Sequence, residues 1–247
     1  MYLILIIAAF IFSFLFALGG IGAAIVLVPV MYSLGVPLSQ AKPIGLFFNT
    51  ISLAGATYLN IKEKRLDFKL GIPLIFFSLI FAPVGAYSSK YIPHKIVLIV
   101  FVLFLLFSTT VMWFFKSSKY SENFREDRPV IALSLLGIIV GFISGLLGVG
   151  GGGLISPAMI LMGFNPKKVA AITAFVVPFS SFTGFLTYFA MGSVNFKILI
   201  MVTIAGFFGA YIGTNLMQKK FKPETVKKIL GGILIILAIK MILKLFQ

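Results

Sequence analysis

Residues 141–157 read GFISGLLGVGGGGLISP, and the reading of this stretch decides the fold. It lies inside an uncharged run, 129–166. About 20 apolar residues cross a bilayer as a helix, so the run is too long for one crossing. Glycine in a helix interior costs about 0.8–1.0 kcal/mol relative to alanine, and Gly150–Gly153 are four in succession. A continuous helix is disfavoured there. A re-entrant segment or hairpin that turns at the glycines is expected, with a new helix starting at 154. Unpaired backbone cannot face lipid, so such a break must be buried or line a cavity. The competing use of glycine in membranes is close helix packing, and Gly141-x-x-x-Gly145 is assigned to that use alone.

A second long run, 1–41, carries Gly19-Gly20-Ile21-Gly22. An offset of 128 lays Gly20, Gly22, Pro29 and Gly35 on Gly148, Gly150, Pro157 and Gly163. The same offset lays Asp67-Phe68-Lys69 on Asn195-Phe196-Lys197, and Pro93 and Pro223 each precede a final helix. The chain reads as two homologous halves, 1–116 and 129–247, joined by a charged linker at 117–128. Each half is expected to hold one glycine-broken hairpin and three crossings. Internal repeats of this kind build many transporters.

Composition fixes the solvent. Of 247 residues, 60% are hydrophobic and 11% charged, and mean hydropathy is +1.12. A soluble domain is about 25% charged, so this chain is read as an all-α integral membrane protein in a lipid bilayer. The net charge of +15 would suggest nucleic acid in a soluble protein; here it marks cytoplasmic helix ends, and no nucleic-acid partner is expected. There is no Cys and only one His, His94. No thiolate nucleophile or cysteine metal site is possible, no cofactor is expected, and the nucleophile–base constellation of an enzyme is missing. No basic segment precedes the first apolar run, so the first helix is read as an uncleaved anchor.

Charge also separates two topologies. If each long run crosses once with a kink, the basic residues divide ten against 11. If each is a hairpin, loops 60–69, 116–128, 163–170 and 217–228 share one side with 15 basic residues, leaving Lys42, Lys90, Lys95, Lys197, Lys240 and Lys244 on the other. The positive-inside rule selects the hairpins. The expected arrangement is therefore a multi-pass cell-membrane protein of inverted repeats, both termini outside and the 117–128 linker cytoplasmic.

The stretch from Ala17 to Pro29 (ALGGIGAAIVLVP) and the opening stretch together resemble the TauE/SafE family, the sulfite exporter or sulfonate-uptake permeases. Gly35 with Ala41, and Gly163 with Ala170-Ala171, continue the pattern. The first half departs from the second in having Ala23-Ala24 where the second has Gly151-Gly152. The resemblance spans both halves and implies transport of a sulfur oxyanion or organosulfonate.

A helix start carries free N–H groups and partial positive charge and holds anions without a cationic side chain. The expected site is the meeting of the two breaks: Gly20, Gly22 and Ala23 from the first, Gly150, Gly151, Gly152 and Gly153 from the second. Asn49, Thr173 and Ser180 complete the shell with polar groups in otherwise apolar spans. Thr50, Ser52, Ser181 and Thr183 lie in the same polar clusters. Pro178 is expected to free a backbone carbonyl. Lys42, before Pro43, is read as snorkelling, with a place at a cavity mouth as the alternative on the rule that intramembrane cations are functional, and His94 as lying at the membrane surface. No carboxylate lies within a span, so the coupling ion, proton or sodium, is unreadable, as are oligomeric state and whether one hairpin or both bind. A channel or carrier for another small anion, such as a carboxylate, is the alternative.

Overall fold

A computed structural model describes residues 2–17, 20–114, 124–192, 194–220 and 223–245. Gly19 and linker residues 117–123 lie outside the described residues. Ten helices follow in order: α1 (Tyr2–Phe16), α2 (Ala24–Ser33), α3 (Leu38–Lys62), α4 (Phe68–Ser88), α5 (His94–Phe114), α6 (Val130–Leu147), α7 (Gly152–Leu161), α8 (Pro166–Ala190), α9 (Phe196–Lys220) and α10 (Pro223–Leu245). There is no strand among the described residues. Among the described residues, six helices are long and apolar enough to cross a membrane: α3, α4, α6, α8, most of α5 and most of α9. Large apolar side chains such as Ile4, Ile72, Phe76, Leu103, Ile200 and Phe208 stay exposed on the outside, as an all-α integral membrane protein requires.

The long glycine-bearing runs each divide into two helices. α2 and α7 have 10 residues apiece, about 15 Å at 1.5 Å per residue, and reach only partway through a bilayer. α7 starts at Gly152, two residues earlier than the glycine count predicts. Gly152 and Gly153 are therefore helical, and they are glycine because neighbours leave no room. A side chain at Gly152 would run into the Ile21 carbonyl, and one at Gly153 would lie 2.7 Å from Phe104.

The order of elements in α1–α5 is repeated in α6–α10, and the packing exchanges the two sets. α4 packs most extensively on α6 and α9 on α1; α3 lies against α8 and α5 against α10. Gly137, Gly141 and Gly145 of α6 meet Leu74, Ser78 and Ala82 of α4, so these two helices run parallel. The close-packing role expected of Gly141 and Gly145 is what they perform. Phe10 and Phe14 meet Gly209 and Gly213 in the same parallel sense. The register of α3 on α8 is the reverse. The Phe47 and Phe185 rings meet at a tilt with centroids 4.8 Å apart, Thr50 Oγ1 donates to the Pro178 carbonyl at 3.4 Å, and Thr57 Oγ1 donates to the Ala174 carbonyl at 2.7 Å. Residue numbers rise on one helix as they fall on the other, so α3 and α8 are antiparallel. Ala174 is the carbonyl that Pro178, lacking an N–H, leaves free, and Thr57 supplies the missing donor.

Loops gather at the two ends. At one end Asp67, which precedes α4, pairs with Lys168 at 2.9 Å and Arg128 at 3.6 Å, and the Arg125 N–H donates to the Gly163 carbonyl at 3.0 Å. At the other, Tyr32 OH and His94 Nε2 lie 3.0 Å apart at the exposed surface. Burial alone would push the Asp67 carboxyl up. The Lys168 hydrogen bond and charge, the Arg128 charge and the Leu70 N–H outweigh it and hold the carboxyl below its ordinary value. A lowered folded pKa contributes stability above the unfolded carboxylate range and loses it as pH falls through the folded value. Asp67→Asn is thus expected to flatten the acid limb of a melting-temperature profile in detergent below about pH 4, the ordinary carboxylate range, while removing stability at neutral pH.

Candidate functional site

The two glycine breaks meet at α3. Gly20, Gly22, Gly148 and Gly150 have φ of +61°, +79°, +74° and +72°, values that cost a side-chain-bearing residue about 1–3 kcal/mol. These left-handed residues turn each chain sharply so that α2 restarts at Ala24 and α7 at Gly152. Each break is pressed against the opposite half. A side chain at Gly20 would strike the Ala170 carbonyl of α8, and one at Gly148 would strike Lys42 of α3. Ala170 is 128 residues beyond Lys42, the same offset that relates the two glycines.

One side chain joins the breaks. Asn49 Oδ1 accepts from the Ala24 N–H at 3.1 Å, capping α2 from outside its own sequence, and Asn49 Nδ2 donates to the Val149 carbonyl at 2.8 Å. Asn49 is fully buried. A side chain at Gly22 would lie 2.5 Å from Asn49 Oδ1, and one at Gly150 would meet Asn49 Nδ2. Both glycines therefore serve the amide as well as the turn. Gly151, the residue before α7, makes no side-chain capping bond of its own.

The other expected residues fall at varying distances from this point. Ala23 precedes α2 and its carbonyl accepts from Val26 and Leu27; Gly151 precedes α7 and accepts from Leu154 and Ile155. A side chain at Gly151 would meet Val140. Thr173 Oγ1 accepts from Ser156 Oγ at 3.0 Å, linking α8 to α7. Ser180 Oγ turns onto its own helix and donates to the Val177 carbonyl at 3.2 Å. Its neighbour Ser181 faces the break instead: a Cβ at Gly150 would lie 3.1 Å from Ser181 Oγ. Ser181 is fully buried and its hydroxyl has no partner among the described residues. The ten expected residues are all buried.

Three contributors carried little sequence signal. Ser156 sits within α7 two residues after Leu154, and Ser108 of α5 donates to the Gly153 carbonyl at 2.8 Å. Ser156 is a single hydroxyl in its helix and Ser108 opens a Ser-Thr-Thr run; neither is distinguishable by residue type from hydroxyls that bond their own backbone, as Thr110 does. The third is Lys42. It is 5% exposed and lies along Gly148, so it is buried rather than snorkelling to the surface. The stretch Gly148–Gly153 is held from α3, α5, α6 and α8 together.

Residues 5–241 match the family described as Sulfite exporter TauE/SafE. The chain belongs to that family. It is 27% identical to the probable membrane transporter protein YunE of Bacillus subtilis, over 98% of this chain and 97% of the relative. It is 27% identical to the probable membrane transporter protein MJ0441 of Methanocaldococcus jannaschii, over 97% and 95%. A shorter match, 30% identical over 41% of this chain and 23% of the relative, is to Sulfite exporter TauE/SafE family protein 5 of Arabidopsis thaliana. No solved structure matches. The TauE/SafE assignment makes the chain a multi-pass membrane transporter of the sulfite-exporter type.

Proposed function

We propose that this protein is a permease for a small sulfur oxyanion or organosulfonate, which it holds where the two broken hairpins meet and releases to either side by alternating access. The observation that carries the reading is the pair of buried helix starts, Ala24 and Gly152, set into glycine breaks that Asn49 joins by bonding the Ala24 N–H of one and the Val149 carbonyl of the other. Partial positive charge at a helix start favours anions, and N–H groups buried at membrane depth call for partners. Ser181, Ser156 and Thr173 supply hydroxyls around the second break. The halves 1–116 and 129–247 are read as inverted repeats with the 117–128 linker cytoplasmic and both termini outside. That reading is supported by the antiparallel register of α3 on α8, the parallel register of α4 on α6, and the meeting of Asp67, Arg125, Arg128 and Lys168 at one end. A single kinked crossing in place of each hairpin would make α3 and α8 parallel.

The test is flux of labelled sulfite, thiosulfate, sulfate and a small sulfonate in proteoliposomes, with and without proton or sodium gradients. Saturable, mutually competed flux with counterflow supports a carrier. Linear, unsaturated flux indicates a channel, and saturable carboxylate flux alone moves the substrate class. Ser181→Ala separates function from stability. Losing an unpaired buried hydroxyl is expected to raise the melting temperature slightly, a gain of up to about 1 kcal/mol, while KM for the transported anion rises several-fold.

A further inference from the structure

Lys42 is a buried ammonium in a membrane helix without a carboxylate to answer it. It is 5% exposed, and among the described residues it makes no ion pair and no hydrogen bond. All six acids of the chain lie at 63, 67, 122, 126, 127 and 224. In the topology proposed above these segments share the membrane face opposite the start of α3, so no Asp or Glu is on Lys42's side. That side carries Lys42, Lys90, Lys95, Lys197, Lys240 and Lys244 with His94, a field that draws anions in.

Packing does not require the amine. Lys42 lies against Gly148 as Ala170 lies against Gly20, and the 128-residue offset makes the two positions equivalent. Alanine does the same structural work in one half that lysine does in the other. Charge at membrane depth is expensive and marks ion pathways, so its retention in one half alone points outside the fold. Lys42 also shares a helix face with the site: Gly45, one turn on, would meet the Gly148 carbonyl at 2.5 Å if it carried a side chain, and Asn49 is one turn further.

We infer that Lys42 is a substrate-contacting residue on the path to the second glycine break and that it sets a preference for doubly charged oxyanions over singly charged ones. Each helix start presents roughly half a positive charge. Two starts and one ammonium together present about +2, the complement of a dianion. Without Lys42 the same site presents about +1, enough for a monoanion.

The inference rests on the anion-carrier reading, and the experiment separates the two. Initial rates of thiosulfate, sulfate and methanesulfonate uptake are measured near neutral pH in proteoliposomes, where the first two are dianions and the third a monoanion. Wild type, Lys42→Ala and Lys42→Arg are compared; the alanine variant copies the residue that Ala170 already places in the equivalent packing, and melting temperature checks its fold. The expected result is a rise in KM for the dianions of about tenfold in Lys42→Ala, a much smaller change for methanesulfonate, similar maximal rates, and recovery in Lys42→Arg. An unchanged dianion KM, or an equal rise for all three anions, overturns the inference while leaving the carrier reading in place. So does a wild type that prefers methanesulfonate. Wild-type protein without saturable flux of any of them overturns the carrier reading and the inference with it.

Discussion

Gly152→Ala is expected to abolish anion flux. The added methyl group is small, but it points at the main-chain carbonyl of Ile21 rather than at the end of a movable side chain. Relief requires one break to move away from the other. That shift separates the two helix starts and strains the Asn49 bridge, whose two hydrogen bonds are 3.1 and 2.8 Å long. Overpacking of a close contact typically costs about 1–3 kcal/mol, so a fall in melting temperature accompanies the loss of flux. Gly232→Ala is the control. Nothing lies within 4 Å of a side chain at Gly232, and replacing a helical glycine there is expected to stabilise by up to about 1 kcal/mol with flux unchanged. Full flux in Gly152→Ala would show that the contact between breaks is dispensable.

Asn49→Leu has the second large effect. It keeps the approximate size of the side chain but removes both its donor and its acceptor, leaving the Ala24 N–H and the Val149 carbonyl unpaired in a buried site. Each such group costs about 1–3 kcal/mol, so a destabilisation of about 2–6 kcal/mol is expected, read as a fall in melting temperature in detergent together with loss of uptake. Asn49→Asp keeps an acceptor for Ala24, loses the donor to Val149 and adds a negative charge beside the proposed anion. An unpaired carboxylate against the Val149 carbonyl is costly to bury, so this variant is expected to be at least as destabilised as Asn49→Leu and equally inactive in uptake. Transport by Asn49→Asp at wild-type rates would exclude an anion beside this position.

Much of the architecture is legible because its signals are physical and local. Charge-free runs of known length mark spans, and four adjacent glycines mark a break in any solvent. Asn49 stands out as the amide in the apolar middle of its helix, Gln40 and Asn60 lying near the ends. What the chain hides is geometry finer than a helical turn. Ser180 and Ser181 are adjacent in sequence but about 100° apart around the helix axis, and only packing reveals that the second faces the break. The start of α7 falls at Gly152 rather than 154 because Ile21 and Phe104 demand bare backbone there, a tertiary requirement that local glycine cost does not contain. Lys42 lies so close to the start of α3 that snorkelling and burial read alike until Gly148 is seen against it. The bridging of both breaks by a single amide is a long-range fact, 25 residues to Ala24 and 100 to Val149.

In the two-repeat reading proposed above, that single amide makes the two halves unequal. The residue 128 positions after Asn49 is Val177, whose side chain has no polar atom to offer. Two copies of the second half, assembled as a symmetric dimer, would bring two valines to the junction and leave the restarted helices without their tether. Two copies of the first half would bring two amides to a space in which one already reaches both partners. Neither half can therefore replace the other. In the two-repeat reading proposed above, separately expressed halves 1–116 and 129–247 are expected to regain function only when supplied together.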